Sequence, residues 1–149
     1  MSSLAADMIH STAVKIACAA DVAFDYLSDA NRLRTWALTQ CDVTAQGHGL
    51  VSARSRLNDS IMWVAIDADA KRCTVDYQVG PSRDTLAPII MARVIPGADL
   101  GESKELCIVS MFAWRSAAMD DARWRRLIAS HEWEIVLLQS LIESQARSS

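Results

Sequence analysis

His131 and Tyr77 are the side chains of this sequence best suited to proton-transfer chemistry. His131 lies in the middle of the apolar stripe of a predicted C-terminal helix, and Tyr77 lies in a predicted strand. An imidazole or a phenol that projects into a pocket can orient a ligand's carbonyl group or move a proton. The alternative for His131 is a core histidine that bonds a backbone carbonyl or a water. Glu134 falls only on the margin of the stripe, so no acid–base pair is evident and no catalytic residue is assigned.

Motifs for other kinds of chemistry are missing from the sequence. It contains no nucleophile–base pair, phosphate-binding loop or metal-ligand cluster. Zinc sites need closely spaced thiolates or imidazoles, whereas the four cysteines are far apart and form no C-x-x-C pair. They are interpreted as small buried thiols. We therefore predict neither a metal nor a cofactor.

The size and charge of the chain restrict the classes of protein to which it can belong. Its 149 residues are 51% hydrophobic and carry a net charge of −3, so we expect one domain over residues 1–149. The negative charge argues against nucleic acid as a partner, and no window approaches the roughly 18 apolar residues that stable membrane insertion requires. Residues 1–7 have neither the basic nor the apolar part of a signal peptide, so a cytoplasmic protein is expected.

The arginines are interpreted as solvent-facing. Arg123, Arg125 and Arg126 lie beside two aspartates and are typical of a solvated helix start. Arg93 lies in a predicted strand and is placed on the solvent side, because a buried unpaired charge is costly. If Arg93 pointed inward instead, it would imply a ligand with an anionic group.

Periodicity predicts a strand, two short helices, six strands and a long helix. The first strand spans 9–18, and Asp21 and Asp29 are predicted to cap the two short helices. The glycines at 47 and 49 mark a hairpin turn. The final helix spans Met119 to about Arg147. The six later strands are predicted at 39–45, 50–57, 61–66, 73–79, 86–95 and 105–115.

Seven consecutive antiparallel strands are expected to curl into a curved sheet with a concave face. The final helix is the only element long enough to cover that face, since at ~1.5 Å per residue it spans roughly 40 Å. The predicted fold class is therefore α+β, with a curved seven-stranded antiparallel sheet wrapped around a long C-terminal helix. The two short helices lie between strands 1 and 2.

A cavity between sheet and helix would be lined by the inward side chains of both. Aromatic and methionine side chains suit an adaptable pocket, although a filled core gives the same pattern. Trp63 is placed inward, but Met62 and Val64 are equally apolar, so that assignment stays open. Trp36 is placed at the mouth. The predicted ligand-binding residues are Trp36, Val51, Ala53, Trp63, Val75, Tyr77, Met91, Met111, Trp124, Ile128, His131 and Ile135.

Trp133 falls on the opposite side of the helix from His131. An exposed indole is unusual because its burial is worth ~2 kcal/mol or more. Trp133 could form a homodimer contact, since aromatic residues are enriched at interface cores. It could equally pack beneath a flanking loop or the first strand.

Two segments carry a resemblance to a known family. Residues 14–36 read VKIACAADVAFDYLSDANRLRTW, with Phe24 in a short helix, then Asp29, then Trp36. Residues 62–80 read MWVAIDADAKRCTVDYQVG. With the closing amphipathic helix, these segments resemble the START-like, helix-grip superfamily (SRPBCC), especially its polyketide cyclase/dehydrase-like and lipid-transport-like branch.

This resemblance implies a hydrophobic cavity but brings no catalytic motif with it, and fold analogy does not fix function. The favoured hypothesis is binding of a small hydrophobic or aromatic metabolite, lipid or polyketide-like, between sheet and helix. The alternatives are a polyketide cyclase/dehydrase-type enzyme that uses the same cavity, and a homodimeric interaction module that uses the face carrying Trp133.

Overall fold

The computed structural model describes residues 8–148, so the predicted lack of a signal peptide in residues 1–7 lies outside the described residues. Seven strands and three α-helices follow the predicted order. Single 3-10 turns lie at Ala30–Arg32 and Gly97–Leu100. The strands are β1 (Ile9–Ile16), β2 (Gln40–Gly47), β3 (Leu50–Ser55), β4 (Ile61–Asp69), β5 (Thr74–Gly80), β6 (Ala87–Pro96) and β7 (Cys107–Trp114). The helices are α1 (Ala20–Ser28), α2 (Leu33–Trp36) and α3 (Asp121–Ser148).

All seven strands form one curved antiparallel sheet in the order β1-β7-β6-β5-β4-β3-β2. Strands β2 to β7 form a meander in which each strand pairs with the next along the chain. The chain passes through α1 and α2 between β1 and β2, and β1 pairs with the last strand, from Ile9 opposite Trp114 to Ile16 opposite Cys107. The predicted fold class is confirmed.

Local turn and capping chemistry is only partly as predicted. The β2–β3 turn has positive φ at Gly47, His48 and Gly49, as the glycines predict. Asp29 accepts a hydrogen bond from the backbone N–H of Asn31, as expected of a cap. The predicted Asp21 cap is wrong, because α1 begins at Ala20 and Asp21 lies within its first turn.

Helix α3 is held on the sheet mainly through its C-terminal half. The Gln139 side chain donates a hydrogen bond to the Lys15 carbonyl at 2.7 Å, and Glu143 accepts one from the Ala17 N–H at 2.9 Å. Leu138 and Ile142 are fully buried in the core beside these contacts. The C-terminal half of α3 is therefore fixed against β1 and the core.

The N-terminal half of α3 is anchored differently. The Arg115 guanidinium donates to the Asp121 carboxylate at 2.7 Å and fixes the start of the helix. Trp124 packs with Ala113 and Met119 in a small separate cluster at the end of the sheet. Between this cluster and the main core, α3 and the sheet enclose a cavity.

Candidate functional site

A cavity of about 400 Å³ lies between the sheet, α2 and the N-terminal half of α3. Protein pockets that bind small molecules usually have volumes of roughly 300–1,000 Å³. The sheet and α2 supply an apolar wall, and α3 supplies a polar one. The apolar wall includes Leu33, Trp36, Val64, Tyr77, Val79 and Ile90.

Two buried aromatic rings organise the apolar wall. The rings of Trp36 and Tyr77 meet edge to face, with their centroids 5.6 Å apart. The Tyr77 hydroxyl donates a hydrogen bond to the Leu27 carbonyl at 2.6 Å. Burial raises the pKa of Tyr77, and the carboxyl of Glu134 contributes to the same shift. The phenol therefore stays protonated and already has a partner, so Tyr77 is better suited to shaping the cavity than to transferring protons.

His131 lies on the polar wall and is almost completely buried, with 1% of its surface exposed. Neither of its ring nitrogens has a hydrogen-bond partner among the described residues. The ring of His10 approaches it edge to face at 6.1 Å between centroids. Burial lowers the pKa of His131 to about 4, and the neighbouring His10 adds to this effect. At neutral pH the imidazole is uncharged and can accept or donate a hydrogen bond.

Glu134 lines the same cavity one turn further along α3 and is also buried. Burial raises the pKa of Glu134 to about 8, although hydrogen bonds from Ser130 and Leu38 partly offset the increase. Its carboxyl group is therefore mostly protonated at neutral pH. Helical spacing placed Glu134 only on the margin of the stripe, and in the structure it lines the same cavity as His131.

Gln40 lines the cavity from β2, and its buried side-chain oxygen has no hydrogen-bond partner among the described residues. A buried polar atom without a partner costs about 1–3 kcal/mol. The two ring nitrogens of His131 are atoms of the same kind. The residues that line the cavity therefore carry three buried polar atoms without a hydrogen-bond partner among the described residues. Unpaired buried polar atoms of this kind indicate a place for a water or for the polar group of a ligand.

The mouth of the cavity combines cationic and apolar side chains. Arg123 and Arg126 line it from α3, Leu57 lines it from the loop between β3 and β4, and Ile61 lines it from the start of β4. Leu57 and Ile61 expose 51% and 62% of their surface. The arginines are solvent-exposed, as predicted, but they also belong to the cavity wall, which the sequence did not indicate.

The predicted ligand-binding residues fall into three groups. Trp36, Tyr77 and His131 line the cavity. Trp36 was placed at the mouth, but in the structure its side chain is buried in the cavity wall. A second group is buried in the core or in the small cluster around Trp124, away from the cavity lining. That group consists of Val51, Ala53, Val75, Met111, Trp124 and Ile135, together with Ile128, which is partly buried against the Trp124 cluster.

Trp63 and Met91 form the third group, and their predicted inward orientation is wrong. Both lie on the outer face of the sheet. The Arg83 guanidinium stacks over the Trp63 ring at 4.6 Å, while the neighbouring Val64 is fully buried. Met91 lies opposite Asp76, on the face away from the buried Tyr77. The inward positions of these two strands are therefore those of even-numbered residues such as Val64 and Ile90.

The cavity does not offer a metal site. Across residues 8–148, no group of three or more histidine, cysteine, aspartate or glutamate side chains could hold a metal ion. The four cysteines are free thiols. Cys18 and Cys107 are buried as predicted, whereas Cys41 and Cys73 are only partly buried.

Comparisons with known proteins establish the fold. No family model and no curated protein matches the sequence of this chain. Among solved structures, a START superfamily protein from Mycobacterium smegmatis is similar, with a TM-score of 0.61 and 8% identity over 95% of this chain and 98% of that one. The Zhui aromatase/cyclase from Streptomyces sp. R1128 has a TM-score of 0.60 and 16% identity over 91% of this chain and 93% of its own. This chain has a START-like, helix-grip fold.

A third similar structure is the di-domain ARO/CYC BexL from the BE-7585A biosynthetic pathway. It has a TM-score of 0.65 and 13% identity, over 91% of this chain but only 46% of BexL. This chain therefore corresponds to about half of BexL. In the described part of our START-like chain, no helix is long and apolar enough to cross a membrane.

Proposed function

We propose that this START-like chain binds a small hydrophobic or aromatic metabolite, such as a lipid or polyketide-like compound, between the curved sheet and α3. The proposal is supported by the size of the cavity and by the Trp36–Tyr77 wall. The observation that carries it is the pair of unpartnered nitrogens on buried His131. A ligand with a carbonyl or hydroxyl group would supply the missing hydrogen bond and be oriented by it.

Native mass spectrometry of freshly purified protein tests this proposal. We expect a 1:1 complex with a small molecule that is released when the protein is denatured. A hydrophobic fluorescent probe should then bind the emptied protein at one site. Protein that has the mass of the bare chain and also fails to take up the probe would contradict the proposal.

The pair formed by His131 and Glu134 favours a second candidate, a polyketide cyclase/dehydrase-type enzyme. Burial favours the uncharged form of each group, which gives a neutral imidazole and a protonated carboxyl in one cavity. Such a pair could remove a proton beside one carbonyl group of a poly-β-carbonyl chain and protonate the oxygen of the carbonyl that is attacked.

In a turnover assay with such a chain, His131→Ala and Glu134→Gln should each slow the reaction about 100-fold or more. Unchanged turnover in both variants would exclude this pair from catalysis.

The exposed side of α3 favours a homodimeric role in addition to binding. Trp133 exposes 70% of its surface and Val136 exposes 54%, so within residues 8–148 neither a loop nor β1 covers Trp133. An exposed indole beside an exposed valine is suited to contact a second copy of the chain. This surface points away from the cavity, so association would leave the binding site free.

A further inference from the structure

We propose that the ligand is an amphiphile whose anionic oxygen group, a carboxylate or a phosphate, binds Arg123 and Arg126 at the mouth of the cavity. This inference deepens the proposed function and rests on it. It concerns one end of the ligand only, so it can fail while the cavity still binds hydrophobic molecules.

The charges around the cavity favour an anion. Among the described residues that line it, Arg123 and Arg126 are the permanently charged ones, and Glu134 is the sole carboxylic acid. Burial keeps Glu134 mostly protonated at neutral pH. The cavity therefore has a cationic mouth, although the chain as a whole has a net charge of −3.

Nearby carboxylates do not neutralise these arginines. Asp121 pairs with Arg115 at 2.7 Å, and the Asp120 carboxylate accepts the backbone N–H of Arg123 at 2.7 Å. Within residues 8–148, neither Arg123 nor Arg126 takes part in an ion pair through its side chain. Both guanidinium groups are thus free to bind an external anion.

Their arrangement suits one anionic group. Residues three apart on a helix lie on the same side, so both guanidinium groups are presented to the same end of the cavity. A guanidinium group presents a fork of N–H donors that matches the oxygens of a carboxylate or phosphate. Arg123 also lies in the first turn of α3, where the helix dipole favours negative charge.

The rest of the cavity fixes which way the ligand lies. With its anionic end at the mouth, the ligand would place its apolar body beside Leu57 and Ile61 and then along the wall formed by Trp36 and Tyr77. The buried nitrogens of His131 would be available to a polar group further along the ligand. From the mouth inward, the cavity thus offers cationic, apolar and then polar surface, which suits an amphiphile with an anionic end.

Isothermal titration calorimetry with decanoate, decyl phosphate and decanol tests the inference, since the three probes share one apolar chain. The wild-type protein should bind at least one of the two anions roughly tenfold or more tightly than decanol. The double variant R123Q/R126Q should lose that preference and keep its affinity for decanol. R125Q is the matched control, because Arg125 is exposed on the same helix but does not line the cavity, and it should behave as the wild type.

The outcomes separate the two proposals. Preference for decanoate or for decyl phosphate supports the inference and identifies the anionic group. Equal affinity for all three probes overturns it but leaves the hydrophobic cavity intact. An equal loss of anion binding in R125Q and in the double variant also overturns it, since general charge would then explain the preference. If no probe binds, the proposed function fails as well.

Discussion

At His131 the requirements of stability and of binding are opposed. The imidazole is buried and both ring nitrogens lack a partner among the described residues, although an apolar side chain would fill the same position without that cost. Its position in the stripe of α3 could be predicted from helical spacing alone. Its lack of partners could not, because this depends on which side chains approach the ring from distant parts of the chain, such as His10 of β1.

Replacing His131 with leucine should therefore stabilise the protein. We expect the free energy of unfolding to rise by about 1 kcal/mol, because a buried donor and acceptor without partners are removed. Urea unfolding followed by circular dichroism measures the change. His131→Leu should also weaken binding of a carbonyl-containing ligand while sparing a purely apolar probe. A loss of several kcal/mol in stability would mean that His131 has a structural partner.

Glu134 makes stability depend on pH. The folded protein holds the Glu134 proton up to about pH 8, whereas the unfolded chain releases it near pH 4.5. Between these values the folded state binds more protons, so this contribution is fully present below pH 4.5 and is lost as the pH rises through 8. The slope is roughly 1 kcal/mol per pH unit.

The variant Glu134→Gln should remove this dependence. His131 has the opposite effect, but only between about pH 4 and 6.5, so measurements from pH 6.5 to 8 isolate Glu134. Over that range we expect wild-type stability to fall in urea titrations and the stability of Glu134→Gln to stay level. Parallel curves for the two proteins would show that the carboxyl is already ionised when folded.

For some strand residues, the sequence pattern does not determine which face of the sheet the side chain occupies. The segment containing Trp63 is apolar on both faces, so alternation alone could not decide its orientation. The structure resolves it through Arg83, which covers the outer side of the indole. Arg123 and Arg126 were correctly predicted to be exposed, but their place at a cavity mouth depends on the loop that faces them.

At the scale of elements, the two halves of α3 have different roles. The half that carries Leu138 and Ile142 packs into the core, and the half from Arg123 to Glu134 forms the cavity wall. The apolar stripe correctly predicted which side faces the protein. It did not predict the whole cavity wall, because Arg123, Arg126 and Glu134 line the cavity from outside the centre of the stripe, alongside the central His131.

The end of β5 should be sensitive to any side chain at Gly80, which lines the cavity. A Cβ atom there would lie 2.0 Å from the Thr85 carbonyl oxygen, a backbone atom, so the β5–β6 loop would have to move. We expect Gly80→Ala to lower the free energy of unfolding by about 1–3 kcal/mol, as overpacking does. Thermal unfolding measures the change.

Gly47→Ala is the comparison for this substitution. Its Cβ would meet no atom within 4 Å, so only its positive φ opposes the change, at a cost of roughly 1–2 kcal/mol. Probe binding should weaken in Gly80→Ala and not in Gly47→Ala. Unchanged stability and probe binding in Gly80→Ala would show that the loop adapts freely.

For the whole molecule, the order of elements was enough to predict the fold. Short turns between successive strands require antiparallel neighbours, and the final helix was the only element that could cover the curved sheet. The cavity could not be predicted in the same way. Its shape depends on where α3 lies, and α3 is held by Gln139 and Glu143 at Lys15 and Ala17 and packs at Ala113 of β7 through Trp124.

Association of two copies is a property of the whole molecule that one substitution can test. Replacing Trp133 with glutamate places a charge at the centre of the exposed apolar surface on α3. If this surface forms a homodimer, light scattering should give twice the chain mass for the wild type and the single mass for Trp133→Glu. Equal masses for both proteins would contradict the dimer.

The central claim is that the space between the sheet and α3 receives a hydrophobic ligand, and the variant Ser130→Phe tests it most directly. Ser130 lines the cavity, whereas Ser140 is exposed on the same helix and Ser140→Phe serves as the control. In a fluorescence titration with a hydrophobic probe, the wild type and Ser140→Phe should bind one equivalent with the same Kd. The phenyl ring at position 130 should fill the space and weaken binding roughly tenfold or more. Equal affinity in all three proteins would place the probe elsewhere and contradict the account.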